Sequence, residues 1–176
     1  MTVRPRAAAS ELATPPPGAH PPVHSAPGSP RAWRPHVPDH PTCFACGPRV
    51  PNGPGLTITE RRPDGVSATA VLDEVYQGAP GIAHGGLVAT LLDEAASLAV
   101  WQSLGRPTVT GRLELQYHAP VPVGVPLAVT ARCTATAGRR VFAEAAIAPV
   151  GEPKVCAEAA AVFIEVPHSH FTAHAP

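Results

Sequence analysis

Charge is scarce in this sequence. Only 15% of its 176 residues are Asp, Glu, Lys or Arg, and thirteen basic groups against thirteen acidic ones leave no formal net charge. A chain without a charge excess does not grip nucleic acid or an anionic membrane by bulk electrostatics. Long apolar runs are missing too: no stretch reaches 18 residues, so no membrane-spanning helix is expected. Four cysteines are too few to staple a chain of this length. No disulfide framework is expected, and a cytoplasmic location is. Residues 1–17 hold arginines but no continuous apolar segment, so no secretory signal is expected there.

Proline, by contrast, is abundant, and unevenly placed. Eleven of the 24 prolines fall in residues 1–41, among Ala, Ser, Gly and four histidines. Such a segment buries too little apolar surface to offset its chain entropy. The sequence therefore divides into a disordered Pro/Ala/His-rich tail (1–40), one folded domain (41–167) and a flexible C-terminal tail (168–176). Trp33 is the one candidate anchor for the first tail.

Periodicity becomes readable in the folded part. Residues 56–60 form a strand candidate after the Asn52–Gly55 turn. Residues 65–73 alternate, with Val66, Ala68, Ala70 and Leu72 on one side. Residues 78–81 break the chain. A helix is predicted from His84 to Leu104, rich in Leu and Ala, stopped by Gly105 and Pro107. Thr90, Asp93, Glu94 and Ser97 fall on one polar stripe of that helix, and an exposed stripe is a viable reading for Glu94 and an open one for Asp93. Period two returns over Leu113–Tyr117, Leu127–Thr136, Val141–Ile147 and Val155–Val166. The order β–β–α–β–β–β–β with short turns predicts an α+β fold: one antiparallel sheet wrapped around one apolar helix. The sheet's open edges would be covered most simply by a second copy.

The chemistry concentrates at the start of that helix. Gly85 and Gly86 follow His84, where backbone N–H groups lack intrahelical partners and the helix dipole is positive. Such a helix start can stabilise an oxyanion. The same glycines also fit a plain loop-to-helix turn. Asp93 lies mid-helix among Leu91, Leu92 and Ala95, where a carboxylate is costly unless paired or used. Gly86 and Asp93 are about 10 Å apart along the helix. Reacting atoms need about 3–3.5 Å. If both act on one substrate, each site must combine Asp93 of one copy with the glycines of another.

The segments Cys43–Gly47, Asn52–Leu56, Gln77–Gly86, Leu91–Glu94, Val109–Thr110 and Pro120–Pro122 together resemble the PaaI/THEM4-like branch of the hotdog-fold acyl-CoA thioesterases. The resemblance spans residues 43–164. It implies a hotdog fold, a homodimer or a dimer of dimers (homotetramer), and hydrolysis of acyl-CoA thioesters without metal or redox cofactor. It implies Asp93 as nucleophile or general base, Gly85 and Gly86 as carbonyl-polarising donors, and His84 as their positioning neighbour. It makes Thr110 the hydroxyl that orients water. Gln77 is the nearest match to an amide that relatives place before the histidine. Arg139 and Arg140 correspond to basic residues near the CoA phosphates, and equally fit a solvated charged turn. A non-catalytic protein binding acyl-CoA or acyl-carrier protein is the alternative, though Asp93 speaks against it. A hotdog dehydratase or hydratase is a second alternative, disfavoured by the His84–Asp93 spacing.

Cys43 and Cys46 form a CxxC pair, with His36 and His40 just upstream. The ligand types suit a structural zinc. The plainer reading is two small apolar side chains in a turn above the pocket.

Overall fold

The structure, a computed structural model, describes residues 9–23 and 41–172. His36, His40 and Trp33 lie outside the described residues. Strands β1 (Thr57–Arg62) and β2 (Gly65–Val71) come first. A 3-10 turn (Glu74–Tyr76) and two short strands, β3 (Gln77–Ala79) and β4 (Ile82–Ala83), follow. Helix α1 (Gly85–Leu104) comes next, then β5 (Thr108–Tyr117), β6 (Pro126–Ala137), β7 (Arg140–Pro149) and β8 (Ala157–Glu165). A single helical turn, α2 (Ser169–Thr172), lies in the segment expected to be a flexible tail.

Six strands form one antiparallel sheet in the order β1-β2-β6-β7-β8-β5. The sheet curls around α1, the hotdog arrangement expected from the sequence. Its inner face carries Val66, Ala68 and Ala70 from β2, Leu127 and Val129 from β6, Ile147 from β7 and Phe163 from β8. These pack on Val88, Leu91, Leu92, Ala95, Ala99 and Val100 of the helix. The period-two pattern of β2, and of β6 as far as Cys133, thus reports the burial correctly, but a bulge between Cys133 and Ala135 turns Ala135 to the outer face. Gly105 ends α1 in the left-handed region (φ 59°), its N–H donating to the Trp101 carbonyl at 2.8 Å. Glycine takes that conformation without Cβ strain. Among the described residues no helix is long and apolar enough to cross a membrane.

Two elements depart from the expectation. The break at residues 78–81 is a small β3–β4 hairpin. Residues 9–23, expected within a disordered tail, lie against the outer face of the sheet. Ala13 is buried there with Ala135, Phe142, Ala160 and Val162. His20 and Thr136 exchange two backbone hydrogen bonds, of 2.9 and 2.8 Å. The Ser10 amide and hydroxyl both donate to Glu114. Those bonds, with Arg112 beside them, pull the Glu114 carboxyl down to about 2. The physical reason is that β7 and β8 are apolar on both faces. A sheet face of that kind needs a cover.

Ala13→Asp places a carboxylate into this cover and is expected to release residues 9–23 while the sheet and α1 stay folded. Limited proteolysis should then cut within that segment at least several-fold faster than in the parent chain. Unchanged cleavage would show that Ala13 is not part of a sealed contact.

Candidate active site

Helix α1 begins at His84, whose backbone is extended (φ −62°, ψ 132°) and whose imidazole Nδ1 accepts from the Gly86 N–H at 3.0 Å. The side chain is thus an N-cap of α1. The Leu87 and Val88 N–H groups turn back to the His84 carbonyl, at 2.9 and 3.2 Å. Of the two glycine donors expected from the sequence, Gly86 is therefore occupied by His84. Gly85 donates to no group among the described residues. Tyr117 on β5 donates its hydroxyl to the Gly85 carbonyl at 2.7 Å. That bond ties the helix start to the sheet, and no motif or period pointed to Tyr117 for this role. Gly85, Ile82, Ala83, Val88, Tyr117 and Val121 line a groove of about 330 Å³, near the lower end of small-molecule pockets.

Two turns further along α1, Asp93 is half-buried and accepts a hydrogen bond from the Thr110 hydroxyl at 3.0 Å. Strand β5 returns past the helix and delivers Thr110 to the carboxylate itself, whereas the resemblance gave its hydroxyl to the attacking water. Burial holds the Asp93 carboxyl above the ordinary carboxylate range, and the charge of Glu94 adds to this. The Thr110 bond acts in the opposite direction. With one oxygen fixed by Thr110, the carboxylate can present the other to a water or an electrophilic carbon.

The remaining candidates divide. Gln77 turns its side-chain oxygen inward, accepting the Gly81 N–H at 3.0 Å, and so braces the β3–β4 hairpin. Arg139 donates from Nε to the Glu165 carbonyl at 3.0 Å. Arg140 stands over the Phe142 ring, 5.9 Å from its centroid. Both arginines are exposed. Arg140 pairs with Ile164, which also pairs with Val109, so Arg140 lies two strands from the neighbour of Thr110. At the usual strand spacing that is about 10 Å. Glu94 is not on an exposed stripe. It is half-buried and accepts from the thiols of Cys46 (3.0 Å) and Cys43 (3.6 Å). Burial and the Glu94 carboxylate push the Cys46 thiol up, far from ionisation.

A family model described as the thioesterase superfamily matches residues 80–159, which take in the helix start, Asp93 and Thr110. The match covers 80 residues, a little under half of the chain. The relatives found bear out the resemblance to the PaaI/THEM4-like branch of that superfamily. The Bos taurus protein named acyl-coenzyme A thioesterase THEM4 is 29% identical over 90 residues, 51% of this chain and 36% of its own length. The chain thus spans little more than a third of that relative. A solved thioesterase superfamily protein is 29% identical, with a TM-score of 0.65 over 69% of this chain and 62% of its own. The E. coli PaaI protein, from a phenylacetic acid degradation operon, shares the fold. It is 19% identical, with a TM-score of 0.57 over 63% of this chain and 83% of its own.

The Tyr117–Gly85 bond fixes where the helix start sits. Tyr117→Phe removes it and is expected to cost about 0.5–1.5 kcal/mol of unfolding free energy. Urea titration of both proteins measures the difference. An unchanged midpoint would mean that the hydroxyl is satisfied equally well by water.

Proposed function

We propose that the protein is an acyl-CoA thioesterase, hydrolysing a thioester to a free acid and CoA. The observation that carries this reading is the Thr110–Asp93 pair: a half-buried carboxylate inside a helix, aimed by a hydroxyl at 3.0 Å. Burying a carboxylate there without use would be a cost with no return. The names carried by the relatives support the same reaction.

In the mechanism we infer, the acyl carbonyl lies at the start of α1 and the Gly85 N–H donates to its oxygen. The carbonyl oxygen gains negative charge as the tetrahedral intermediate forms. One well-placed donor is worth about 2.7–4 kcal/mol at that point. Asp93 either attacks the carbonyl carbon, giving a mixed anhydride that water then hydrolyses, or takes a proton from the attacking water. The thiolate of CoA leaves readily, so no strong general acid is needed. Thr110 orients the carboxylate. We assign the CoA phosphates to the exposed guanidinium groups of Arg139 and Arg140. The four free thiols suit a reducing compartment such as the cytoplasm.

Gly85 and Asp93 are separated by more than two helical turns, so about 12 Å. They cannot serve one carbonyl within a single chain. We infer a homodimer, alone or paired again into a tetramer, in which Asp93 of one copy faces the helix start of the other. The edge strand β5, ten residues long, supports pairing between copies.

Asp93→Asn is expected to lower acyl-CoA turnover by about 10²–10⁴-fold, read as free thiol released. Near-normal turnover would remove Asp93 from the chemistry. Thr110→Val should lower kcat by about 10–100-fold, with KM little changed, the worth of one hydrogen bond to a charged group. Sharing of sites has its own test. Asp93→Asn and Gly85→Val chains, each inactive alone, are unfolded together and refolded. Half the dimers are then mixed and hold one intact site of two, so about a quarter of the parent activity should return. No recovery would place both groups in one chain and overturn the shared site.

A further inference from the structure

We propose that Cys43, Cys46 and Glu94 bind a zinc ion that clamps the 41–56 loop to the middle of α1. Their ligand atoms, two Sγ and a carboxylate oxygen, all lie within 4.8 Å of one another. Cys46 Sγ is 3.0 Å and Cys43 Sγ 3.6 Å from the Glu94 oxygens. A tetrahedral zinc with Zn–S of about 2.3 Å and Zn–O of about 2.0–2.2 Å sets its ligand atoms roughly 3.5–3.8 Å apart. Small side-chain rotations therefore suffice to admit the ion.

The loop is built to bring the thiols together. The Gly47 N–H donates to the Cys43 carbonyl at 2.8 Å, closing a turn around the Cys-x-x-Cys pair. A Cβ on Gly47 would meet backbone atoms of Cys43 at 2.5 and 2.6 Å, so only glycine fits. The Leu56 N–H returns to the Ala45 carbonyl at 2.9 Å, and Ala45 is buried. The third ligand comes from a different element, 48 residues away in sequence. A disulfide would need no carboxylate beside it. A pair of thiols with a carboxylate facing both is a donor set for a borderline-soft divalent cation.

Thiolates are the ligands, so binding sends two thiol protons to solvent, and no electrons move. Two thiolates and a carboxylate leave the site at net −1 with the ion, and a water fills the fourth position. Glu94 follows Asp93 directly, so the clamp would also hold the helical turn that carries Asp93.

The full-length untagged chain, purified with zinc chloride present and then dialysed, is analysed for metal. About one zinc per chain is expected. Replacing zinc by cobalt should give the thiolate-to-cobalt charge-transfer absorption. The Cys43→Ser/Cys46→Ser double variant should lose both zinc and that absorption. Glu94→Gln should weaken zinc binding by more than the roughly 10–100-fold that loss of an outer-shell partner costs. If the double variant does not fold, the cobalt spectrum of the parent chain still reads the thiolate bonds. A chain that retains no zinc and has four freely titrating thiols overturns the proposal. So does zinc retained in the double variant, or a cobalt form without thiolate absorption. Unweakened binding in Glu94→Gln removes the carboxylate from the site and with it the clamp.

Discussion

Everything in this molecule depends on hiding one helix. Helix α1 has ten buried residues along its twenty. A helix so apolar has no stable place on a surface. The sheet solves this by curling until β2, β5, β6, β7 and β8 all touch it. Alanines at inward positions of the strands keep the sheet surface low, so that the helix can lie close. The most deeply enclosed element is also the one that carries the carboxylate. Partial burial takes some of the water from Asp93, and the hydroxyl of Thr110 supplies one partner in its place. The core and the candidate chemistry are therefore one arrangement.

The two ends of the site are set by different physics. At its start, α1 offers backbone donors, and which of them is open is decided locally. His84 caps Gly86, while Tyr117 holds the Gly85 carbonyl. In the middle of α1, the carboxylate owes its properties to burial and to its neighbours on β5 and in the helix itself. A rigid helix fixes the distance between the two places. No side-chain rotation closes a gap of about 12 Å, so the open Gly85 donor and the Asp93 carboxylate of one helix cannot meet at one carbonyl.

What the sequence made legible follows from how local each signal is. Helix α1 and its Gly105 stop were readable because helix propensity and the break are local. The inward residues of β2 and β6 were readable because alternation is local too. The β3–β4 hairpin escaped, since strands of three and two residues are too short for any period. The capping of Gly86 by the His84 imidazole was not visible in a pattern that reads equally as a free helix start. The meeting of Cys46 with Glu94 escaped for a different reason: alternation and helical period describe single elements. They carry no information about which loop rests on which helix turn.

The outer face of the sheet shows the same limit from the other side. Residues 157–164 are apolar at every position except Glu158, a run that belongs to a strand covered on both faces. Reading only the odd-numbered residues assigns one face to the helix and leaves Ala160 and Val162 unexplained. Those two, with Phe142 and Ala135, are what Ala13 covers. The proline-rich composition of the first forty residues argues against a core of their own, and none is needed. A short segment can be ordered by a surface already built. It needs one small apolar residue at the contact and backbone groups that can pair with an available strand. Ala13 supplies the first and His20 the second. Composition thus tells whether a segment can fold alone, and the second face of β7 and β8 tells whether it has somewhere to lie.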